Sequence, residues 1–526
     1  MRAIIAATIA GVVCSVPLSA QTISGDEILG HIKVVADDAM EGRGTGSPGE
    51  RRAAAYIEEQ FKKAGLRPAG GGAYIQEVPL VGVTADPATV LTFEGPSTQM
   101  TAAYFEEFVA SSGVIEEEVA VDAELVFVGY GVAAPEQGWD DFKGLDVKGK
   151  VLLAFVNDPP SDNPKHFGGR AMTYYGRWTY KYEEAARRGA AGILLVHMDE
   201  KAGYPWQVVQ KSWTGELFQI EGRQDPLRLR GWLRRDVAER LVGLSGKHLD
   251  ELLNAAARSD FAPTPLGIRV TTRIANKIRK LSAPNVAGVL PGSERPDRFI
   301  CLVAHHDHFG IGRPDATGDA IYNGALDNGT GVGAVIALAK ALGAAKPKDS
   351  ILFLTVTGEE QGLLGSHYYA LHPLTPMAQT TAAISLDGLN VHGRTTDFRA
   401  LGAEHSGLGR LVSEVVSSMG LTLEPDAHPE RGSFFRSDHF SFARLGVPGI
   451  SVDCGDDYVG KPAGWGEAKG QAYLAQRYHQ PSDEIDPDWD TQGLVQVSEV
   501  VMKLVARIGE ENGLIAWNPD SEFQRQ

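Results

Sequence analysis

Histidine and carboxylate residues follow apolar, strand-like segments in the second half of the sequence. Three segments end this way: 299–304 before His305-His306-Asp307-His308, 351–356 before Glu359-Glu360, and 383–386 before Asp387. A glycine-rich loop adds Asp327, and a turn near the end adds His479. The carboxyl ends of strands in an open α/β sheet lie along one edge, where sites form. The sequence therefore predicts that these side chains meet.

Two His, two Asp and two Glu are enough to hold two divalent metal ions, because zinc takes imidazole nitrogens and carboxylate oxygens. One Asp would bridge the ions, and each ion would keep a His and a carboxylate. The spare carboxylate would be the general base for a metal-bound water. We find neither G-x-S-x-G nor H-E-x-x-H. Spacing alone does not assign the roles, and each residue taken singly also suits a structural role, such as a helix cap or a solvated turn.

The elements that must position these residues have an α/β pattern. The segments 299–304, 351–356, 383–386 and 449–452 are continuous apolar runs, typical of strands buried on both faces. Helical patterns lie between and after them at 331–342, 407–419 and 493–508. Near the N-terminus, Ser47-Pro48-Gly49-Glu50 predicts a helix start with a capping box.

A β-rich segment precedes this α/β region. From about Val119, short strands at 125–130, 151–156 and 193–196 alternate with glycine and proline, and a helix is predicted at 182–188. The pattern indicates a separate small domain that ends near Pro265. Cys301 and Cys454 lie in apolar runs, so we expect two buried free thiols rather than a disulfide.

Length and charge narrow the function. The 526 residues leave room for two to four domains, and 43% hydrophobic with 22% charged residues is ordinary globular composition. With 50 Lys and Arg against 67 Asp and Glu, the formal charge is −17, so we expect no nucleic-acid partner.

The N-terminal residues are typical of an export signal. A basic start, an apolar run over 3–20 and small residues before Gln21 predict a signal peptide at 1–20, with an uncleaved anchor as the alternative. We predict a periplasmic or secreted protein with no other membrane segment.

The ordered motifs resemble those of a known family. They are Ala304-His305-His306-Asp307-His308, Asn323-Gly324-Ala325-Leu326-Asp327-Asn328-Gly329-Thr330-Gly331, Gly358-Glu359-Glu360, Asp387-Gly388, Ser437-Asp438-His439 and Tyr478-His479. Together they resemble the co-catalytic zinc exopeptidases, the family of aminopeptidase S and aminopeptidase Y. The N-terminal segment 41–49 also matches, and 127–192 resembles the protease-associated domain inserted in many members.

The resemblance implies a cofactor of two Zn²⁺ per subunit. His305 would bind one zinc ion and His479 the other, Asp327 would bridge them, and Glu360 and Asp387 would complete the two ligand sets.

The resemblance also implies catalytic roles. Glu359 would be the general base that activates water, Asp307 would orient a ligand, and Tyr478 would stabilise the oxyanion. The Asp327–Asn328 bond would be cis, as in relatives. His306 and His308 are extra histidines beside the site.

The fold implied is α/β: a three-layer zinc-exopeptidase (phosphorylase/hydrolase-like) domain with a mixed sheet, built from residues 24–115 and 266–515. A β-rich protease-associated domain would be inserted at 116–265.

The favoured function is removal of N-terminal residues from peptide substrates. The first alternative is a carboxypeptidase or dipeptidase of the same superfamily, in which Arg436 could bind a substrate carboxylate. A glutaminyl cyclase and a non-catalytic binding protein are further alternatives. The oligomeric state stays open.

Overall fold

A computed structural model describes residues 23–223, 225–519 and 521–525. The predicted signal peptide at 1–20 lies outside the described residues.

A large mixed sheet carries the predicted α/β strands. In spatial order its strands are Glu216–Ile220, Ile75–Ala85, the C-terminal half of Thr264–Leu290, Asp349–Val356, Arg295–His305, Thr380–Ser385, Gly449–Cys454, Asp397–Leu401 and Thr422–Glu424, with the short Arg67–Pro68 beside Thr264–Leu290. The four central strands, 349–356, 295–305, 380–385 and 449–454, are parallel. Their carboxyl ends therefore share one edge.

Helices cover both faces of this sheet, which confirms the predicted three-layer α/β fold with a mixed sheet. One face packs against Gly25–Val35, Pro48–Lys63, Thr330–Ala345, Leu408–Ser418 and Gln492–Ile508, and the other against Leu364–Leu371 and His439–Ala443. Alternate strand residues point to opposite faces, so Ile300 and Leu302 join the first core and Cys301 and Val303 join the second. A further helix, Trp465–Gln476, is mostly exposed.

One helix near the site begins as the sequence predicts. Ser47 caps Pro48–Lys63, and its hydroxyl accepts the amide hydrogen of Glu50 at 3.2 Å. Among the described residues, the segment Ala325–Ala345 is long and apolar enough by composition to span a membrane, but 78% of its apolar window is buried inside the protein. It is therefore the core helix of the large sheet.

A second sheet forms the β-rich region, which we call the inserted unit (residues 90–274). In spatial order its strands are Gln99–Ala103, Val90–Glu94, the N-terminal half of Thr264–Leu290, Glu118–Phe127, Val151–Phe155, Gly192–His197, Leu229–Arg234 and Phe108–Ser111. Its helices are Trp178–Arg187, Asp199–Ala202, Trp206–Ser212, Arg235–Gly243 and Leu249–Ala256. Within this unit, Ala133–Ala134 also pairs with Trp139–Asp140. Outside it, Gly310–Ile311 pairs with Ile321–Tyr322.

The boundaries of this unit differ from the predicted 116 and 265. Residues 90–111 already pair in the second sheet, although the prediction places them with the peptidase domain. The C-terminal boundary falls inside the 27-residue strand Thr264–Leu290, which passes without a break from the second sheet into the large one. Alternating burial along 266–276 is the signal for this strand.

The inserted unit also contributes to the large sheet. Its strand Glu216–Ile220 pairs with Ile75–Ala85 at the sheet edge. Cys301 and Cys454 are free and buried, as predicted.

Candidate metal centre and active site

Five predicted ligands and Glu359 converge at the carboxyl edge of the central strands. We call this group the strand-end cluster: His305, Asp327, Glu359, Glu360, Asp387 and His479. His305 is the last residue of Arg295–His305, and Asp387 follows Thr380–Ser385 by two residues. The two glutamates follow Asp349–Val356. Parallel strands deliver these groups to one edge, as the sequence predicts.

His305 faces two of the carboxylates. Its Nε2 lies 3.2 Å from Asp327 Oδ1 and 3.2 Å from Asp387 Oδ1. The ligand atoms of these three residues lie within 4.8 Å of one another, which is a spacing that one metal ion can satisfy. His305 is 1% exposed, so the ion would be held in a buried site.

His479 also faces Asp327, together with Glu360. Its Nε2 lies 3.4 Å from Asp327 Oδ2 and 3.2 Å from Glu360 Oε2. Asp327 thus presents one oxygen to each histidine, which is the arrangement of a bridging carboxylate. The Asp327–Asn328 peptide bond is cis, as the resemblance implies.

The remaining predicted residues surround this group. Glu359 has a ligand atom within 4.8 Å of those of His305 and Glu360. Asp307 accepts the amide hydrogen of Glu359 at 3.1 Å, so it positions the glutamate as well as approaching His305 Nδ1 at 3.9 Å. The Tyr478 ring stacks on His479 with ring centroids 3.7 Å apart.

The charges of the cluster call for a cation. Burial lowers the pKa of His479, but Glu360 and Asp327 outweigh it and raise this pKa to about 9. Burial raises the pKa of Glu359 well above its usual range, and Glu360 and Asp387 raise it further. Four carboxylates share a largely buried site, and a dication would relieve their repulsion. His479 Nε2 is buried without a hydrogen-bond partner among the described residues. The donor set therefore fits the two zinc ions that the sequence predicts.

Tyr478 and Asp307 are also perturbed. Burial, then Asp327 and Glu360, raise the pKa of Tyr478 well above its usual value, so its hydroxyl stays a donor. Burial raises the pKa of Asp307 to about 6.

Three further residues hold side chains or loops of the cluster in place, and the sequence does not predict these roles. His308 Nδ1 lies 2.6 Å from Glu360 Oε1. Asp483 accepts the amide hydrogens of Leu326 and Asp327, both at 3.1 Å, and so holds the loop that carries the bridging carboxylate. Both lie in or beside motifs already noted, but their spacing does not reveal these contacts.

The third is Arg43, which is fully buried behind the site. Its guanidinium donates to the carbonyl oxygens of Val35, His306, Asn323 and Gly324 at 2.5–2.9 Å. It thereby ties the His305 and Asp327 loops together. The match of segment 41–49 to the family was the available signal.

A cavity of about 350 Å³ opens beside the strand-end cluster, between the large sheet and the inserted unit. Glu359, Tyr478 and Arg436 line it together with Arg177 and Trp178 from the inserted unit. A peptide end in this cavity would therefore contact residues from both units.

The comparisons with known proteins agree with this geometry. Residues 285–505 match the model of peptidase family M28. A probable zinc metalloprotease of Pyrenophora tritici-repentis is 37% identical over 102 residues, 19% of this chain and 23% of that protein. The rat aminopeptidase NAALADL1 is 25% identical over 314 residues, 50% of this chain and 38% of that protein. The matches thus span well under two thirds of these relatives.

Among solved structures, an aminopeptidase from Aneurinibacillus sp. strain AM-1 has the same fold. The TM-score is 0.57 and the identity 19%, with 97% of this chain and 99% of that chain covered. The likeness extends over the inserted unit as well as the large sheet. On the family match and the strand-end cluster, the chain contains a peptidase domain of family M28.

Proposed function

We propose that this protein is an exported, zinc-dependent aminopeptidase that removes N-terminal residues from peptides. The observation that carries the proposal is Asp327, which presents its two oxygens to two buried histidines. The M28 domain and the printed names of the zinc metalloprotease and aminopeptidase relatives support it.

Two zinc ions would be held by this chain's own side chains. His305 and Asp387 would hold one, His479 and Glu360 the other, and Asp327 would contact both. When bound, the pair supplies Lewis acidity and lowers the pKa of water toward neutrality.

Glu359 would do the proton transfer. Its carboxyl has a raised pKa and is not needed in either ligand set, so it can take a proton from the attacking water and pass it to the leaving amine. The Tyr478 hydroxyl lines the same cavity and would donate a hydrogen bond to the developing oxyanion. The excess carboxylates at this edge would attract the free ammonium group of the substrate.

A carboxypeptidase or dipeptidase is the second candidate, favoured by two arginines in the cavity. Three cavity arginines pair with carboxylates: Arg230 with Asp225, and Arg223 and Arg444 with Glu183. By contrast, Arg177 and Arg436 form no ion pair in the described part of the chain. Arg436 donates instead to the carbonyl oxygens of Ala202 and Arg431, at 2.9 and 2.7 Å. A substrate carboxylate could occupy this position.

The deciding experiment compares three matched forms of one short peptide: free at both ends, N-acetylated and C-amidated. The aminopeptidase cleaves the amidated form and spares the acetylated one. A carboxypeptidase shows the reverse, and a dipeptidase cleaves neither blocked form. Arg436→Gln raises KM for the free peptide more than for the amidated peptide only if the arginine binds a C-terminal carboxylate. No cleavage by the zinc-loaded protein of any peptide would contradict both candidates.

We further propose that the inserted unit is a protease-associated domain that restricts the cleft to small or unfolded peptides. The Arg177 and Trp178 side chains that line the cavity support this role. Periplasmic or secreted localisation rests on the apolar segment 3–20. Detection of the mature N-terminus at Gln21 in an exported fraction would test it.

A further inference from the structure

The two histidines of the strand-end cluster differ in what holds their second ring nitrogen. His305 Nδ1 lies 3.2 Å from the carbonyl oxygen of Asp307, two residues along the chain. His479 Nδ1 lies 3.2 Å from the hydroxyl of Ser212, which belongs to the inserted unit. One histidine is thus oriented from within the peptidase domain and the other from outside it.

Ser212 is itself fixed by the inserted unit. It is the last residue of helix Trp206–Ser212, and the next residue, Trp213, packs its ring edge-on against Trp178 at 5.1 Å between centroids. Two residues earlier, the Gln210 side chain donates to the carbonyl oxygen of Phe105 at 2.7 Å. These contacts fix the backbone position of Ser212, from which its hydroxyl reaches His479.

His479 lies in a loop of unusual backbone conformation beside the inserted unit. His479 has a φ of 57°, the left-handed region that non-glycine residues rarely adopt. Its ring is 5% exposed and stacks on Tyr478. Beside it, the Lys211 ammonium contacts the side-chain oxygen of Gln480, so the same helix touches the loop twice.

The tautomer of His479 decides whether it can bind a metal ion. A neutral imidazole has one N–H and one lone pair, and Nε2 is the nitrogen that faces Asp327 and Glu360. The proton must therefore sit on Nδ1, and a ligand histidine usually donates that proton to an outer partner.

We propose that Ser212 is a positioning residue: its Oγ accepts the Nδ1–H of His479 and so presents Nε2 to the second metal ion. The inference rests on the proposed metal site. It gives the inserted unit a part in metal binding as well as in covering the cleft. Because coupling is reciprocal, docking of this helix and binding of the second ion favour each other.

The test is zinc binding to the purified full chain, measured by competition with a chromophoric chelator. We expect wild type to bind two ions, and Ser212→Ala to bind one of them about 10–100-fold more weakly while the other is unchanged. Ser212→Thr keeps the acceptor and should restore the affinity. Thr214→Val is the matched control, because the Thr214 hydroxyl donates to the carbonyl oxygen of Gln210 within the same segment.

A second readout is insensitive to general loss of stability. In the cobalt-substituted protein, each ligand histidine gives a paramagnetically shifted, exchangeable N–H proton signal. Ser212→Ala should speed solvent exchange of one such signal and leave the other unchanged. Wild-type affinities and unchanged exchange in Ser212→Ala would overturn the inference alone. A wild-type chain that binds no zinc would instead contradict the proposed function on which the inference rests.

Discussion

Two groups of charged side chains in this molecule differ in charge balance and in hydrogen bonding. The strand-end cluster gathers four carboxylates around two histidines. The second group, which we call the insert cluster, consists of Lys181, Asp141 and Asp158 in the inserted unit. The insert cluster is buried throughout and the strand-end cluster largely so, yet only the strand-end cluster has a polar atom left without a hydrogen-bond partner among the described residues.

All three side chains of the insert cluster form hydrogen bonds within the inserted unit. Asp141 accepts from the Val132 amide at 2.9 Å and from the Trp139 indole at 2.8 Å. Asp158 accepts twice from Thr173, at 2.6 and 2.9 Å. The Lys181 ammonium donates to the carbonyl oxygen of Asn157 at 3.2 Å. Burial lowers the pKa of Lys181 and raises those of the two aspartates, which is the ordinary cost of a buried ion group.

The strand-end cluster is left incomplete by its own side chains. Its carboxylates outnumber its cations, and His479 Nε2 forms no hydrogen bond among the described residues, although carboxylate oxygens of Asp327 and Glu360 lie near it. A fold has no structural reason to collect unbalanced negative charge at strand ends. The difference indicates that the insert cluster serves the fold, whereas the strand-end cluster is arranged for a cation and a reaction.

The largest effect expected from this comparison is on catalysis. Glu359→Gln removes the proposed base but keeps the shape of the side chain. We expect kcat for a cleavable peptide to fall about 10²–10⁴-fold, because general base catalysis contributes that much. Zinc stoichiometry, measured on the same sample, should remain at the wild-type value. A variant with wild-type kcat would remove Glu359 from the mechanism.

The insert cluster should instead respond in stability. Lys181→Met removes the charge that lowers the pKa of both buried aspartates and the donor to the Asn157 carbonyl oxygen, and the loss of such a buried partner costs about 1–3 kcal/mol. Denaturant unfolding of the full chain measures it. Lys181→Met combined with Asp141→Asn and Asp158→Asn should recover much of the loss, since no uncompensated charge remains. A small loss in the single variant would show that the aspartates are protonated or hydrated in the folded protein.

Removal of zinc should separate the two groups further. Free zinc at 100 times the Kd of each site adds about 2.7 kcal/mol per site to the free energy of unfolding of a protein that binds it only when folded, or about 5.4 kcal/mol for two sites. We expect the free energy of unfolding of the chelated protein, measured with denaturant, to be lower by this increment. Lys181→Met should show the same increment, because its cluster does not contact the metal ligands. An increment that disappears in Lys181→Met would mean that the two groups are coupled.

Sequence patterns were sufficient for the groups that neighbouring strands deliver. His305, Glu360 and Asp387 each follow an apolar run, so their common edge follows from the rule for parallel strands. The sequence also predicts the helix start at Ser47, because a cap is a contact between residues close in the chain. The bridging geometry of Asp327 required the family resemblance in addition.

Contacts between distant segments could not be read in this way. Ser212 and His479 are 267 residues apart, and no local pattern links a serine at a helix end to a loop in another unit. Arg177 and Arg436 meet in one cavity for the same reason. The long strand Thr264–Leu290 was missed as one element because it changes sheets midway, which concealed the domain boundary.

A smaller effect concerns the two histidines that the sequence left undecided. His308 contacts Glu360 through Nδ1, whereas His306, with a pKa lowered to about 3 by burial, pairs with no carboxylate in the described chain. We expect His308→Ala to weaken one of two zinc sites about 10-fold, because an outer partner orients its ligand. His306→Leu is the matched control and should keep both affinities in chelator competition. Equal losses in both variants would point to packing rather than to Glu360.

The smallest effect concerns a buried carboxyl group of the peptidase domain, Glu50, whose hydrogen bonds come from the protein itself. Glu50 is fully buried in the first turn of Pro48–Lys63, where one oxygen accepts the Gly46 amide hydrogen at 2.6 Å and the other the Thr357 hydroxyl. Burial raises the pKa of this carboxyl well above its usual 4.5, and Asp307 raises it further.

The sign of the pH effect follows from that shift. The folded state binds the Glu50 proton more tightly than the unfolded chain, so the stabilising contribution is complete below pH 4.5 and is lost as pH rises through the folded-state pKa. Glu50→Gln keeps a neutral side chain at all pH values. Its free energy of unfolding, relative to wild type, should therefore increase with pH above 4.5 by up to about 1.4 kcal/mol per unit. Glu58→Gln is the control, because Glu58 pairs with Lys62 at the surface of the same helix. A pH-independent difference for Glu50→Gln would mean that Glu50 is already ionised in the fold, and that buried unbalanced charge in this domain extends beyond the strand-end cluster.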